Sequence, residues 1–280
     1  KKYSLKRTVN CKGNLIDLSI PKIMGIINFT PDSFYTESRV LDFSNLLSKI
    51  ELMVKEGATF IDIGAYSSRP GAAFVSIEDE KQRLLPALGS IVKEFPELLI
   101  SVDTFRSKIA SEAIDSGACM VNDISGGNLD TDMFDLVAKK QVPYILMHMR
   151  GTPQTMNSLN SYDHLILDTI SELQKKVKIL NNLGLNDLII DPGLGFAKDL
   201  NQNYEIVKHL KSFECLGHPL LIGASRKSMI YKHLNISPEE ALNGSTVVHT
   251  ASLLNGASIL RVHDVKAAVE AVKITNLLKN

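Results

Sequence analysis

The chain has 280 residues, 44% of them hydrophobic, with 31 Lys and Arg balanced by 31 Asp and Glu. A chain of this length buries roughly three quarters of its unfolded surface, enough for one large domain or two small ones. Its zero formal charge excludes partners recruited by bulk electrostatics, such as nucleic acid or an anionic membrane surface. Three widely spaced cysteines, Cys11, Cys119 and Cys215, fit neither a disulfide scaffold nor a metal cluster; they read as buried thiols of a protein kept in the reducing cytoplasm. No apolar run approaches the roughly 18 residues of a membrane span, and no apolar signal region follows the Lys-rich start at Lys1 to Lys12.

The opening segment, Tyr3 to Ser19, reads as a hairpin turning at Lys12-Gly13-Asn14, so residues 1–21 are expected to cap the bottom of a single domain over residues 22–280. Short apolar runs then alternate with stretches of helical periodicity: Lys22 to Ile27, Thr59 to Ile63, Leu98 to Val102, Cys119 to Val121, Pro143 to Met147, Asp187 to Ile190, Pro219 to Ile222 and Ser258 to Leu260. Continuously apolar runs predict strands covered on both faces, as in a parallel sheet. Between the fifth and sixth, Leu165, Ile166, Ile170, Leu173, Val177 and Leu180 form one apolar stripe, predicting a helix within Tyr162 to Leu183 that stops at Gly184.

Repeating strand-helix units allow either a (β/α)₈ TIM barrel or an open doubly wound sheet. Polar residues decide between them. Asn28, Asp103, Asn122 with Asp123, His148, Asp191, Ser225 to Lys227, and Arg261 with His263 follow or end seven of the runs, and Asp62 lies inside the remaining one. An open sheet concentrates ligand groups at one switch point, whereas a barrel gathers every C-terminal strand end at one mouth, so the even distribution predicts the barrel.

Three loops carry the densest chemistry: Asn28-Phe29-Thr30-Pro31-Asp32-Ser33-Phe34, Gly64-Ala65-Tyr66-Ser67-Ser68-Arg69-Pro70-Gly71, and Asp191-Pro192-Gly193-Leu194-Gly195-Phe196. Any one of them alone reads equally well as a capped tight turn. Together with Val121 to Gly127, Leu146 to Met149, Ser225 to Ser228 and Arg261 to Val265, they make the chain resemble the dihydropteroate synthase family from Asn28 to Val265. The resemblance implies a barrel, a homodimer, and a Mg²⁺-dependent condensation in which p-aminobenzoate displaces pyrophosphate from a pterin methylene carbon in folate biosynthesis, at a sulfonamide-sensitive site.

A pterin edge of amino group and ring nitrogens calls for carboxylates and an amide, which Asp103, Asn122 and Asp191 supply. The resemblance places these three on the pterin, with Lys227 on the far side of the ring and Met147 against its face. Asp103, Asp191, Lys227 and Arg261 form the catalytic set it implies. A departing pyrophosphate needs concentrated positive charge, and the resemblance assigns Asn28, Ser68, Arg69, Arg261 and His263 to it, Asn28 beside the Mg²⁺. For p-aminobenzoate it assigns Ser68, Pro70, Phe196, Lys227 and Ser228. Bland readings stay open: an ion pair for the acids and lysine, a helix-start histidine at His263, an ordinary helix-start serine at Ser228.

The chain departs from the family pattern at Tyr66, where a glutamate is usual, at Ser68, which keeps the hydroxyl of a threonine, and at Tyr35-Thr36-Glu37-Ser38, which replaces a more flexible run. These changes bear on loop closure, turnover and sulfonamide affinity. Two other readings remain: a pterin-binding module serving a methyl-transfer partner, and a catalytically silent paralogue. The diphosphate residues argue against the first; the altered second loop is the only motive for the second.

Overall fold

The computed structural model describes residues 5–28, 39–66 and 75–279, with the side chains of 39–42 excepted. Its first strands, β1 (Thr8–Cys11) and β2 (Asn14–Asp17), pair antiparallel. Lys12 and Gly13 between them both have positive φ, 52° and 84°, the backbone a two-residue hairpin turn demands. The predicted hairpin around Lys12-Gly13-Asn14 is therefore present.

The remaining strands are β3 (Lys22–Asn28), β4 (Phe60–Gly64), β5 (Leu99–Asp103), β6 (Met120–Asp123), β7 (Tyr144–Met147), β8 (Leu188–Asp191), β9 (Leu220–Ile222) and β10 (Ala257–Val262). They close into a barrel in the order β10-β3-β4-β5-β6-β7-β8-β9, every neighbouring pair parallel. This is the expected (β/α)₈ TIM barrel. Helices alternate with the strands: α1 (Arg39–Glu56), α2 (Ile77–Glu94), α3 (Ser107–Asp115), α4 (Met133–Lys140), α5 (Leu165–Asn182), α6 (Leu200–Lys208), α7 (Ser228–Leu234), α8 (Leu242–Leu254) and α9 (Val265–Lys279).

Strand residues alternate between two environments, as a period of two requires. Outward-facing Ile61, Ile63, Val102, Val121, Leu146, Ile190 and Leu260 join the core beneath the helices. Met24, Phe60, Leu99, Met120, Ile145, Ile189, Leu221 and Ile259 face inward and form one apolar layer, onto which Val9, Cys11 and Leu18 of the hairpin pack. The lower end of the barrel is thus plugged with an apolar layer, at whose edge the buried Asp187 is neutralised by Lys6, and the site's polar groups gather at the other end.

α5 begins three residues after the predicted start. There the Asp168 carboxylate accepts hydrogen bonds from the backbone N–H groups of Asp163 and His164, a local closure that ends the loop before the helix. Leu165, Leu173, Val177 and Leu180 are buried along its inner face, and Gly184 beyond its end has φ 81°.

Because Ile189 is fully buried inside the plug layer, Ile189→Ala should destabilise the protein by about 2–5 kcal/mol. Chemical denaturation measures this, with little change expected in the barrel mouth.

Candidate active site

At the open end, β10 carries Arg261 into the barrel. Its Nε donates to Asp62 Oδ2 at 2.6 Å and its Nη2 to Asp103 Oδ2 at 2.9 Å, spanning from β10 to β4 and β5. Asn122 on β6 donates from Nδ2 to the same Asp62 oxygen at 2.9 Å. Asp62 Oδ1, beneath them, is buried with no hydrogen-bond partner among the described residues.

Asp103 ends its strand beside Gly64, where a side chain would bring Cβ to 3.0 Å from Asp103 Cβ; the glycine makes room for the carboxylate. Burial raises the Asp103 carboxyl to about 7 despite Arg261, with Asp62, Glu80 and Asp123 adding repulsion. An acid poised there can grip a ligand either as carboxylate or as protonated donor.

Across the mouth, Asp191 ends β8 and accepts from Gly193 N–H at 2.7 Å through Oδ1. Its other oxygen has no hydrogen bond among the described residues. Burial raises its carboxyl, opposed first by Lys227 and also by Lys198 and Arg261. Lys227 donates to Leu194 O at 2.6 Å and lies 4.9 Å from the Phe196 ring centre. Burial lowers its ammonium to about 8, Asp191 opposing. Met147, Phe196, Ile124, Met149, Met156 and Ala197 form an apolar patch at the same mouth, with Phe105 packed on it. The combination of acids, an amide, cations and a flat apolar wall suits a polar heterocycle.

His263 follows β10 and is exposed, its Nδ1 3.1 Å from Ser225 Oγ. Ser228 is the first residue of α7 and half-buried; Lys227 before it occupies the cap position without a side-chain capping bond. Asn28 is the exposed last residue of β3. Ser68, Arg69 and Pro70, with Phe29 to Ser38, lie outside the described residues.

Arg226 belongs elsewhere. It holds Asp264 through Nε at 2.7 Å and Nη2 at 2.9 Å, and donates to the carbonyls of Pro238 and Glu239. Within Ser225 to Ser228 the lysine, not the arginine, faces the site. Tyr66, the departure in the second loop, packs edge-on against Phe105 at 5.0 Å with the Arg106 guanidinium over both rings, and Arg106 is itself paired to the buried Glu80. An aromatic ring suits this stack.

Sequence reading gave no site role to two groups. Asp62 was visible only as a lone acid inside an apolar strand. Lys198 had no local signal: its Nζ is buried and donates to Gly193 O and Phe196 O, both at 3.1 Å, and to His148 Nδ1 at 3.0 Å.

The profile of the family described as "Pterin binding enzyme" matches residues 24–263. The chain is similar to the dihydropteroate synthase of Escherichia coli (strain K12), 39% identical over 265 residues covering 94% of this chain and 93% of that protein. The Synechocystis enzyme of the same name is 39% identical over 91% of this chain and 89% of its own length. Among solved structures, Yersinia pestis dihydropteroate synthase in a sulfonamide drug complex superposes with TM-score 0.90 at 37% identity, covering 97% of this chain and 99% of that one. The Xanthomonas albilineans synthase with 4-aminobenzoic acid gives TM-score 0.89 at 33% identity over 98% of both chains.

Two outcomes follow from this geometry. At Gly193 (φ 76°) a Cβ would lie 2.0 Å from His148 O, so Gly193→Ala should displace the loop after β8. A loss of ligand affinity exceeding the loss in melting temperature would show this. Asp103 holds its proton to about 7 folded, against the ordinary 3.8 unfolded. Ionising it therefore costs stability that accumulates between those values and is complete above the higher one. Asp103→Asn should raise the melting temperature by a few degrees near pH 8 and hardly at all near pH 4, as calorimetry at the two pH values would record.

Proposed function

The chain belongs to the dihydropteroate synthase family of pterin-binding enzymes, and on that footing we infer that it joins 6-hydroxymethyl-7,8-dihydropterin pyrophosphate to p-aminobenzoate, releasing pyrophosphate. The observation that carries this reading is the constellation at one barrel mouth of Asp103, Asn122 and Asp191 facing Lys227 and Arg261. The open oxygen of Asp191 suits the pterin's amino group and neighbouring ring N–H, Asn122 donates and accepts on the same edge, and Lys227 donates to an acceptor on the opposite side. Met147 and Phe196 in their apolar patch cover ring faces.

In the reaction, the bond between the pterin methylene carbon and the diphosphate oxygen breaks with its electron pair leaving on pyrophosphate. The aniline nitrogen of p-aminobenzoate, neutral near pH 7, forms the new C–N bond and loses one proton. It needs no strong base, so positioning and charge stabilisation dominate. We assign a dissociative order to these events, because the electron-rich pterin disperses positive charge and the Asp103 and Asp191 carboxylates stabilise it. We assign the diphosphate to Arg261 and His263; the family resemblance adds Ser68 and Arg69, which lie outside the described residues. We assign the aminobenzoate ring to Phe196 and the Lys227 stem and its carboxylate to Ser228; the resemblance adds Pro70, outside the described residues.

Mg²⁺ fits this arrangement as a cation carried by the diphosphate. Among the described residues no group of three or more His, Cys, Asp or Glu side chains could hold a metal, whereas the exposed Asn28 offers one neutral oxygen, a ligand Mg²⁺ accepts alongside phosphate oxygens and water. When bound it would neutralise charge on the leaving group. A homodimer is supported by the apolar residues Leu234, Leu242, Val247 and Leu254, exposed on the adjoining helices α7 and α8. The unpaired cysteines suit the reducing cytoplasm, and among the described residues no helix is long and apolar enough to cross a membrane.

Asp191→Asn should weaken pterin binding at least tenfold to a hundredfold, roughly the worth of a buried charged hydrogen bond. Arg261 is a poor probe of the diphosphate, since its removal strands the buried Asp62 and costs stability of about 3–5 kcal/mol. His263→Ala, at an exposed position, should weaken the pterin diphosphate about tenfold more than the same pterin lacking it. Equal losses in paired calorimetric titrations would remove His263 from the diphosphate site.

A further inference from the structure

Behind the pterin-facing wall, a chain of polar groups runs from the outer rim to Asp191. Arg150 clasps Glu172 of α5 through Nε and Nη2. Glu172 Oε2 meets His148 Nε2 at 2.9 Å, and His148 Nδ1 meets Lys198 Nζ at 3.0 Å. Lys198 completes its coordination with Gly193 O and Phe196 O. The three acceptors match the three N–H donors of an ammonium, so Lys198 carries the charge. His148 must then accept at Nδ1 and keep its proton at Nε2, donating to Glu172. Burial, reinforced by Lys198, lowers His148 to about 4, consistent with a neutral ring; Lys198 itself is lowered by burial to about 7, with Asp191 as its largest support.

We propose that Lys198 is a positioning residue of the pterin site: from behind the wall it pins both ends of the Gly193 to Phe196 segment and supplies the charge that keeps Asp191 ionised for the ligand. It touches no substrate. The proposal rests on the assignment of Asp191 to the pterin. Each end of the pinned segment bears on the site, since Gly193 N–H orients Asp191 and the Phe196 ring faces Lys227. A neutral side chain of the same length would leave the Phe196 carbonyl and the His148 lone pair without a donor, and Gly193 O with only the Phe196 N–H.

The charged groups around Asp191 are Lys227 and Arg261 at the mouth and Lys198 behind. Those around Lys198 are Asp191, Lys227, Glu172, Arg150 and the neutral His148. Removing Lys198 leaves Asp191 with less opposition to its burial, so its carboxyl titrates higher. A ligand that needs the carboxylate then fails at a higher pH.

The test is calorimetric titration of the full-length protein with 6-hydroxymethylpterin, which lacks the diphosphate, across pH, with folding checked by circular dichroism. The wild type must bind it; no binding there would overturn the pterin assignment itself. In Lys198→Met the acid-side loss of affinity should begin about one pH unit higher, giving roughly tenfold weaker binding on the acid limb and a smaller gap at about pH 8. Lys198→Arg keeps the charge with a fork that misfits three converging acceptors; it should bind uniformly weaker with the acid limb unmoved. An acid limb of Lys198→Met coinciding with wild type, at whatever affinity, would overturn the proposal. Should that variant not fold, Glu172→Gln on the partly exposed face of α5 tests the same chain. Without the carboxylate, Lys198 holds its proton less firmly and supports Asp191 less, so the acid limb should again begin at higher pH, and an acid limb left in place would count against the proposal equally.

Discussion

Everything at the mouth of this barrel depends on a guanidinium placed where water cannot fully solvate it. Arg261 enters the interior from the last strand and is held by Asp62 and Asp103 from strands 199 and 158 residues away in sequence. In a low-dielectric interior an unpaired ion of either sign is expensive, and pairs survive only with good geometry and further hydrogen bonds. Asn122 provides one of these by donating to the oxygen that Arg261 already uses. The ion cluster needs β10 to lie beside β3, so barrel closure and site assembly are one event.

The cluster is balanced but not satisfied. Burial pushes the Asp103 carboxyl up to about 7 and raises Asp191, while it pushes the Lys227 ammonium down. Each of these shifts marks a charge the fold does not fully compensate, which a complementary ligand can. A pterin edge brings N–H donors to the acids, and a diphosphate brings negative charge toward Arg261. Groups held in place before the ligand arrives need little reorganisation when charge separates. At the opposite end of the barrel the apolar plug under the hairpin leaves Asp187 paired to Lys6, with no uncompensated charge to compete.

Much of this was legible in the sequence because barrels express their function as a pattern. Polar residues ending apolar runs, from Asn28 to Arg261, mark the strand ends that converge, and the structure brings Asp103, Asn122, Asp191, Lys227 and Arg261 into one mouth. What escaped was anything set by direction rather than position. Arg226 and Lys227 are neighbours, yet a left-handed backbone at Arg226 (φ 53°) turns the arginine to Asp264 while the lysine faces Phe196. Asp62 looked like an interruption of a strand until its partners, remote in sequence, were seen. Lys198 sits in a turn before a capped helix, where a lysine is ordinarily solvated, and only the packing of three loops shows it to be buried.

The Tyr66 departure shows how the same scaffold absorbs change. Losing a glutamate near the second loop removes a negative charge, but the position is not left unsupported. The ring stacks on Phe105 beneath Arg106, which is fixed by Glu80, which in turn accepts from Thr104 Oγ1, next in sequence to Asp103. The root of the loop is therefore tied to the tip of β5 by aromatic and cationic contacts. Substitution here therefore reaches the ligand-facing acid on β5 only through Arg106 and Glu80, the latter of which repels Asp103, whereas Asp191 at the end of β8 and Lys227 after β9 lie outside this chain of contacts.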